Sequence, residues 1–393
     1  MKRTVKDLVG LKGKVVLLRV DFNIPIDENG RIADATRIVN AIPTINYLVN
    51  QKAKVVILSH LGRPKEYDVH KSLWPAALFL KQTLKCSVSF CNSLFDDEAR
   101  HRISILREGD VLVLENTRFY EGEESNDMAF AKKLASLGDI YVNDAFGTAH
   151  RENASTHALA RLLPNAIGLL MEKEINALGP KMENPARPFV AVIGGAKVST
   201  KLKVLKNILE KADTLIIGGA MAYTFLKAQG ETVGESLVEN EYVEDAKDIL
   251  NAAQALGKKI LLPVDHICID NINKKKGAVN VKELHGTLSG RDIGPATIKM
   301  YAHEIAKAKQ VFWNGPMGMF EDIRFAVGTY EVGVAIGASK AYSIVGGGDT
   351  IAAINEFNLA QGINFISTGG GATMEFIEQG TLPCIEVIQE KIV

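Results

Sequence analysis

The sequence is poor in cysteine and tryptophan and shows no excess of either charge. Its four cysteines, Cys86, Cys91, Cys268 and Cys384, are scattered and form no CxxC pair, which argues against a zinc site or a disulfide framework. Reduced thiols, and with them a cytoplasmic location, are expected. Basic and acidic residues number 46 each. A nucleic-acid or membrane-surface protein would show a basic excess or stripe, so neither partner is expected, although neutrality still permits a local basic pocket. Met1-Lys-Arg resembles the start of a secretory leader, but Asp7, Lys12, Lys14 and Arg19 interrupt any apolar segment behind it. The longest uncharged stretch, 357–374, contains asparagine, glutamine and three consecutive glycines, and does not read as a membrane span. Neither GxxxxGK[ST] nor GxGxxG occurs, so two familiar phosphate-binding fingerprints are missing.

What the chain does contain is a recurrence of short Val/Ile/Leu runs: 15–20, 55–58, 111–114, 140–142, 190–193, 215–217, 260–262, 311–313, 343–345 and 365–367. Their lack of polar alternation predicts strands covered on both faces. Amphipathic patterns such as 127–137 and 241–256 lie between them, the rhythm of βαβ units in an open parallel sheet. With 393 residues, two α/β domains are expected. A segment with three prolines, 177–188, reads as an interdomain connector preceded by a helix over 169–178.

In open α/β sheets ligands bind beyond the carboxyl ends of the strands, so those ends carry the functional signal. In the first half they read Arg19-Val-Asp-Phe-Asn-Ile-Pro25, Ser59-His-Leu-Gly-Arg-Pro64, Leu114-Glu-Asn-Thr-Arg-Phe119 and Asn143-Asp-Ala-Phe-Gly-Thr-Ala-His-Arg151. Arginine forks suit phosphate or carboxylate oxygens, and their recurrence along one edge predicts a pocket for a small polyanion. In the second half the ends are Val192-Ile-Gly-Gly-Ala-Lys197, Ile216-Ile-Gly-Gly-Ala220, Ile344-Val-Gly-Gly-Gly-Asp-Thr350 and Ser367-Thr-Gly-Gly-Gly-Ala372. There glycine lets phosphate oxygens approach main-chain amides at helix starts. Asp349 suits a helix N-cap or a Mg²⁺ ligand, and Trp313 reads as core.

Lys197 and Lys201 are read as opening the helix that carries Val198, Leu202, Leu205 and Leu209. Cations in a first turn oppose the macrodipole by ~0.3–1 kcal/mol, and like charges at i,i+4 add ~0.2–0.5 kcal/mol. The arrangement is unfavourable unless an anion sits there or the side chains extend into water. A small phosphorylated metabolite and a nucleotide satisfy both halves, and phosphoryl transfer is the reaction class they suggest.

Together these motifs, with Asp34-Ala-Thr-Arg37, Gly194-Gly-Ala-Lys-Val-Ser199 and Phe312-Trp-Asn-Gly-Pro-Met-Gly318, resemble the phosphoglycerate kinase family across almost the whole chain. The resemblance implies two Rossmann-like domains, each with a mainly parallel sheet flanked by helices, joined by a hinge helix. It places a 3-phosphoglycerate domain at 1–170, the hinge at 171–188, a nucleotide domain at 189–375 and a returning tail at 376–393. The implied reaction moves the acyl phosphate of 1,3-bisphosphoglycerate to Mg-ADP, giving 3-phosphoglycerate and ATP, in a cytoplasmic monomer that closes about its hinge. The implied glycerate residues are Asp21, Phe22, Asn23, Arg37, His60, Leu61, Gly62, Arg63, Arg118 and Arg151. The implied nucleotide residues are Gly195, Lys201, Gly294, Asn314, Glu321, Gly347, Gly348, Asp349 and Thr350, with Asp349 near Mg²⁺ and Arg37, Lys197 and Lys201 catalytic. Three features depart from the family pattern: Asn153 in place of a second histidine, Thr200 in place of an aspartate, and the segment 285–289. Two other readings are a nucleotide-dependent dehydrogenase, which NAD binding would reveal, and a non-catalytic binding protein on the same scaffold, which would bind both ligands without making ATP.

Overall fold

The computed structural model describes residues 1–274, 276–280 and 283–391. The chain forms two compact units, Met1–Asn176 with Thr381–Val393, and Ala177–Gly380. The first unit is built on β1 (Val15–Arg19), β2 (Lys54–Leu58), β3 (Val88–Cys91), β4 (Val111–Leu114), β5 (Ile140–Asn143) and β6 (Asn165–Ile167). They lie side by side in the order β3-β4-β2-β1-β5-β6, every pair parallel. The strand order turns back on itself between β1 and β5, which makes the carboxyl ends of those two strands the natural edge of a binding crevice. Val16, Leu17 and Leu18 of β1 and Val55, Val56 and Ile57 of β2 are all fully buried, as their unbroken apolar runs predict. β3 and β6 escape the sequence reading because they are short edge strands carrying Ser89 and Asn165.

Two details of this unit position later chemistry. The end of the chain packs on the β5 loop, where the Cys384 amide donates to the Ala149 carbonyl at 3.1 Å and its thiol to the Arg151 carbonyl at 3.2 Å. Asp144, just beyond β5, is completely buried and its Oδ1 accepts from the Met171 amide at 3.1 Å, in the first turn of the helix Leu169–Glu183. Burial pushes this carboxyl up to about 6, more than its hydrogen bonds pull it down. The folded state therefore keeps a proton that the unfolded chain has already lost between about pH 4 and 6, and stability falls as pH rises through that window, by up to ~3 kcal/mol. Urea melts at about pH 4 and about pH 7 should show a steeper fall in the parent than in Asp144→Asn, where this side chain cannot ionise; Asp292, which burial pushes up to about 7, contributes equally to both. An equal slope in both proteins would contradict it.

The helix Leu169–Glu183 runs five residues further than the sequence pattern suggests, through Pro180. Proline has no N–H to offer the carbonyl four residues back, here that of Asn176, and the division between the two units falls at that residue.

The second unit begins with β7 (Phe189–Ile193), β8 (Thr214–Ile217) and β9 (Lys259–Leu261). A small antiparallel sheet follows, β10 (Asp265–Asp270), β11 (Lys276–Asn280) and β12 (Leu288–Ile293) in the order β11-β10-β12. The chain then returns through β13 (Gln310–Asn314), β14 (Tyr342–Val345) and β15 (Phe365–Ile366) to complete a parallel sheet β15-β14-β13-β7-β8-β9. Here the order reverses between β7 and β13. Trp313 is fully buried, as expected of core, with its indole N–H donating to the Gly315 carbonyl at 2.9 Å.

The antiparallel sheet has no counterpart in the sequence reading, because Asp265-His-Ile-Cys-Ile-Asp270 and Leu288-Ser-Gly-Arg-Asp-Ile293 present no continuous apolar run. Its pairing is interrupted: Ile267 lies opposite Asp292 while Cys268 lies opposite Gly290, so Arg291 is the unmatched residue of a β-bulge.

A correction concerns the lysines. The helix after β7 spans Leu202–Lys211, with Lys201 at its N-cap position, and Lys197 lies in the irregular segment before it. Neither is in the first helical turn. Residues 197–201 are used instead to bring Lys201 back under the glycines, and Thr200 Oγ1 holds that turn by donating to the Lys197 carbonyl at 3.0 Å.

Candidate functional site

Four strand ends of the first unit converge on one polar edge. Arg37, from the first turn of the helix Thr36–Asn50, donates to Asp21 Oδ2 at 2.7 Å, so the two side chains orient one another. Asn23 Oδ1 accepts from the Gly62 amide at 2.8 Å, tying the loop after β1 to the loop after β2. Asn116, after β4, spends both ends of its amide on the same loop, accepting from Leu61 N at 3.2 Å and donating to the Leu61 and Lys71 carbonyls at 2.8 and 2.9 Å. Arg118 is nearly enclosed and donates to the Gly62 carbonyl at 2.6 Å, with Glu124 3.2 Å from its Nε. Arg151 Nε donates to His150 Nε2 at 3.1 Å. Arg63 is exposed. Phe22 and Leu61 are buried in the core, which leaves their main chain as what they present to this edge.

Behind His60 lies a layer that sequence reasoning did not assign. Arg19 is 2% exposed; it donates through Nε to Ser155 Oγ at 2.8 Å and lies 3.2 Å from His60 Nδ1 through NH2. A guanidinium has no acceptor, so Nδ1 accepts and the imidazole proton resides on Nε2. Burial first, then the fields of Arg19, Arg118, Arg37 and Arg151, hold His60 well below the usual histidine range, so it stays neutral at this edge. Glu123 anchors the layer, accepting from the Ser155 amide and hydroxyl at 3.0 and 2.6 Å. The motif Arg19-Val-Asp21 displays Arg19, but its inward direction depends on the fold. Asn153 proves to be a buried linker, its Nδ2 donating to the Glu123 carbonyl at 3.4 Å.

In the second unit the strand ends build a different surface. Lys201 Nζ donates to the Gly194 carbonyl at 2.5 Å and the Asn314 carbonyl at 3.3 Å. Burial lowers its pKa to about 8, against the opposing pull of Asp349. A bound anion would restore a fully charged ammonium. Asn314 Nδ2 donates to the Gly346 carbonyl at 2.7 Å, and Thr350 Oγ1 accepts from the Gly315 amide at 2.6 Å, so the β13 loop and the β14 loop are stitched together. Gly347, with φ +101, caps the helix Gly348–Glu356; a Cβ there would lie 2.4 Å from Asn314 Nδ2. Asp349 therefore sits in the first turn rather than at the N-cap, exposed beside the amides that a helix start leaves without partners.

Two cavities open here. One, of about 240 Å³, is lined by Lys201, Asn314, Gly347, Gly348, Asp349, Thr350, Gly370 and Gly371. The other, of about 270 Å³, shares Asp349 and is lined by Gly195 and Glu321 together with the apolar residues Ala220, Tyr223, Leu237, Pro263, Ile293 and Met317. A chamber lined by a lysine and glycines, sharing Asp349 with one lined largely by apolar side chains, matches the two ends of a nucleotide. Tyr223, Arg291, Met317 and Met319 line the second cavity and were not foreseen; Tyr223 sits within the helix Met221–Ala228 that follows Gly218-Gly219. Gly294 lines neither cavity: it caps the helix Pro295–Ile305, and a Cβ on it would meet the Asp265 carboxyl at 2.3 Å. Lys197 is exposed and lines neither.

Among the described residues no group of three or more His, Cys, Asp or Glu side chains could hold a metal by itself. A lone carboxylate beside phosphate-binding amides nevertheless fits Mg²⁺, which takes one or two carboxylates and completes its shell with phosphate oxygens and water. All four cysteines are free thiols. No helix among the described residues is long and apolar enough to cross a membrane.

Gly194 is closely packed against backbone at this surface, since a Cβ on it would lie 2.1 Å from the Pro316 carbonyl oxygen and 2.8 Å from that of Gly315. Both obstacles are backbone, so Gly194→Ala is expected to displace the β13 loop and weaken nucleotide binding at this surface at least about tenfold, leaving anion binding at the polar edge of the first unit intact. Calorimetry with a nucleoside diphosphate checks this; unchanged affinity would contradict it.

Comparison with known proteins agrees along the whole length. The family model described as phosphoglycerate kinase matches residues 5–380. A curated relative named phosphoglycerate kinase, from Anaeromyxobacter dehalogenans (strain 2CP-1), is 48% identical over 394 residues, covering 99% of this chain and 99% of the relative. Another of that name, from Dictyoglomus turgidum, is 48% identical over 396 residues, covering 99% and 100%. The solved phosphoglycerate kinase structure from Coxiella burnetii superposes with a TM-score of 0.90 at 42% identity, and that from Pyrococcus horikoshii OT3 with 0.84 at 35%; each comparison covers 98% of both chains.

Proposed function

The chain belongs to the phosphoglycerate kinase family, and we propose how its residues carry out that family's glycolytic reaction, the reversible transfer of a phosphoryl group from 1,3-bisphosphoglycerate to Mg-ADP that yields 3-phosphoglycerate and ATP. The observation that carries this reading is the contrast between the two strand-end surfaces: guanidinium groups and a neutral histidine on one, a lysine and helix-start amides on the other.

Residues 1–170 form the glycerate domain, 171–188 the hinge, 189–375 the nucleotide domain and 376–393 the returning tail. Arg37, His60, Arg63, Arg118 and Arg151 hold the carboxylate and phosphate of the glycerate, Asp21 and Asn23 orient its hydroxyl, and the main chain at Phe22, Leu61 and Gly62 completes the wall. Lys201 meets nucleotide phosphate together with the amides of Gly347, Gly348 and Thr350. Asn314 shapes that turn and Glu321 accepts ribose hydroxyls; Gly195 and Gly294 complete the surrounding backbone. Asp349 would hold Mg²⁺, which when bound supplies charge neutralisation between phosphate oxygens. The attacking oxygen already carries charge in either direction, so no general base is needed and catalysis rests on alignment and on offsetting repulsion. Lys197 and Arg37 carry that electrostatic task on the phosphoryl group in flight. The protein works as a cytoplasmic monomer, in keeping with its free thiols.

A coupled assay with 1,3-bisphosphoglycerate and ADP tests the reading. ATP formation is the expected result. Binding of both ligands without ATP would instead establish a non-catalytic binding protein, and NAD binding a dehydrogenase.

A further inference from the structure

We propose that Arg291 determines base specificity in the nucleotide cavity, donating to the O6 and N7 atoms of a guanine ring, so that guanosine diphosphate is accepted alongside adenosine diphosphate. The inference rests on the nucleotide reading of that cavity and adds a substrate to it. Two independent observations carry it. Arg291 lines the cavity together with Tyr223, Gly290 and Met317, and its charge acts on Tyr223. It is also the unmatched residue of the β-bulge in β12, and bulges re-aim a side chain away from the alternation of its strand.

The bulge is held on both sides. The Gly290 amide donates to Ser236 Oγ at 2.9 Å, the Arg291 carbonyl accepts from the Met319 amide at 2.9 Å, and Asp292 Oδ2 accepts from the Gly328 amide at 2.7 Å. The base of the side chain is thus fixed by backbone while its head is uncommitted. Glu321 lines the same cavity, yet no ion pair or side-chain hydrogen bond engages the Arg291 guanidinium among the described residues.

The chemistry then discriminates. A guanidinium presents five donors and no acceptor. Guanine offers O6 and N7 as a pair of acceptors, the geometry of the commonest arginine contact to a base, whereas adenine offers N7 beside an amino donor that faces the same N–H groups. An arginine among the apolar side chains of that cavity therefore favours a 6-oxopurine, in addition to the general fit that both purines share.

The test measures kcat/KM for GDP and ADP in the coupled assay, for the parent and Arg291→Leu. The parent should use GDP within about tenfold of ADP, and the variant should lower the GDP-to-ADP ratio at least about tenfold. An unchanged ratio, or a parent that does not use GDP, overturns the proposal. Calorimetry on the parent alone guards against a variant that fails to fold: inosine diphosphate, which keeps O6 and N7, should bind like GDP, and 7-deazaguanosine diphosphate should bind more weakly. Equal binding of GDP and its 7-deaza analogue overturns it equally. Absence of ATP from ADP would sink the reaction reading instead, and the nucleotide affinities would still decide the base reading separately.

Discussion

Lys197→Ala is expected to lower turnover by about two to three orders of magnitude while changing ADP affinity by less than about threefold. The expectation follows from where the two lysines stand. Lys201 is committed to the ground state, its ammonium bonded to the Gly194 and Asn314 carbonyls at the floor of the phosphate surface. Among the described residues Lys197 has no such anchor; its side chain is exposed on the segment between β7 and the helix Leu202–Lys211. A cation that makes no contact with the phosphates at rest, and meets negative charge when the phosphoryl group leaves its donor, adds to transition-state binding without adding to nucleotide binding. Steady-state kinetics with calorimetric ADP binding separate the two effects. Near-normal turnover in the variant would remove Lys197 from the chemistry, and a matching loss of ADP affinity would make it an ordinary phosphate contact.

Arg37→Ala is the second large effect, on the other substrate. Arg37 is held by Asp21 at 2.7 Å, so its fork is aimed before any ligand arrives. Removing it deletes a charge-assisted contact worth ~1.5–3 kcal/mol, roughly ten- to hundredfold in 3-phosphoglycerate affinity. It also leaves the Asp21 carboxylate facing an anion without its cation, which adds to the loss. Because the same guanidinium is assigned to the group in flight, turnover should fall as well, at saturating substrate. Arg37→Lys should recover charge but not the planar fork, and so restore only part of either quantity. A variant with raised KM and unchanged turnover would restrict Arg37 to ground-state binding.

Lys197 and Lys201 were legible in the sequence for a physical reason. Strands such as β1, β2, β7 and β13 are covered on both faces, so each appears as an unbroken apolar run whose end is marked by the first polar residues, and in a parallel sheet those ends share one edge. Lys201 could be reached that way because it lies within a few residues of the glycines that end β7, whereas Arg37, far along the chain from the end of β1, is reached only through the family resemblance of Asp34-Ala-Thr-Arg37. What could not be read depends on three-dimensional accidents of direction. Arg19 turns inward to set the His60 proton, although it stands in the same motif as Asp21. Arg291 is aimed by a bulge whose register is fixed by pairing with β10, a strand that mixes polar and apolar residues and gives no run. The helix start after Gly194-Gly195 was displaced for a related reason: Val198, Leu202, Leu205 and Leu209 keep helical spacing, but the chain needs residues 197–201 to return Lys201 to the Gly194 carbonyl.

Calorimetric titration of 3-phosphoglycerate and of ADP into the parent, Arg37→Ala and Lys201→Ala tests most directly that the two halves recognise separate oxyanions by separate means. Arg37→Ala should lose glycerate affinity and keep that for ADP, and Lys201→Ala should do the reverse. If either substitution weakened both ligands alike, or weakened the one assigned to the other surface, that division would be contradicted.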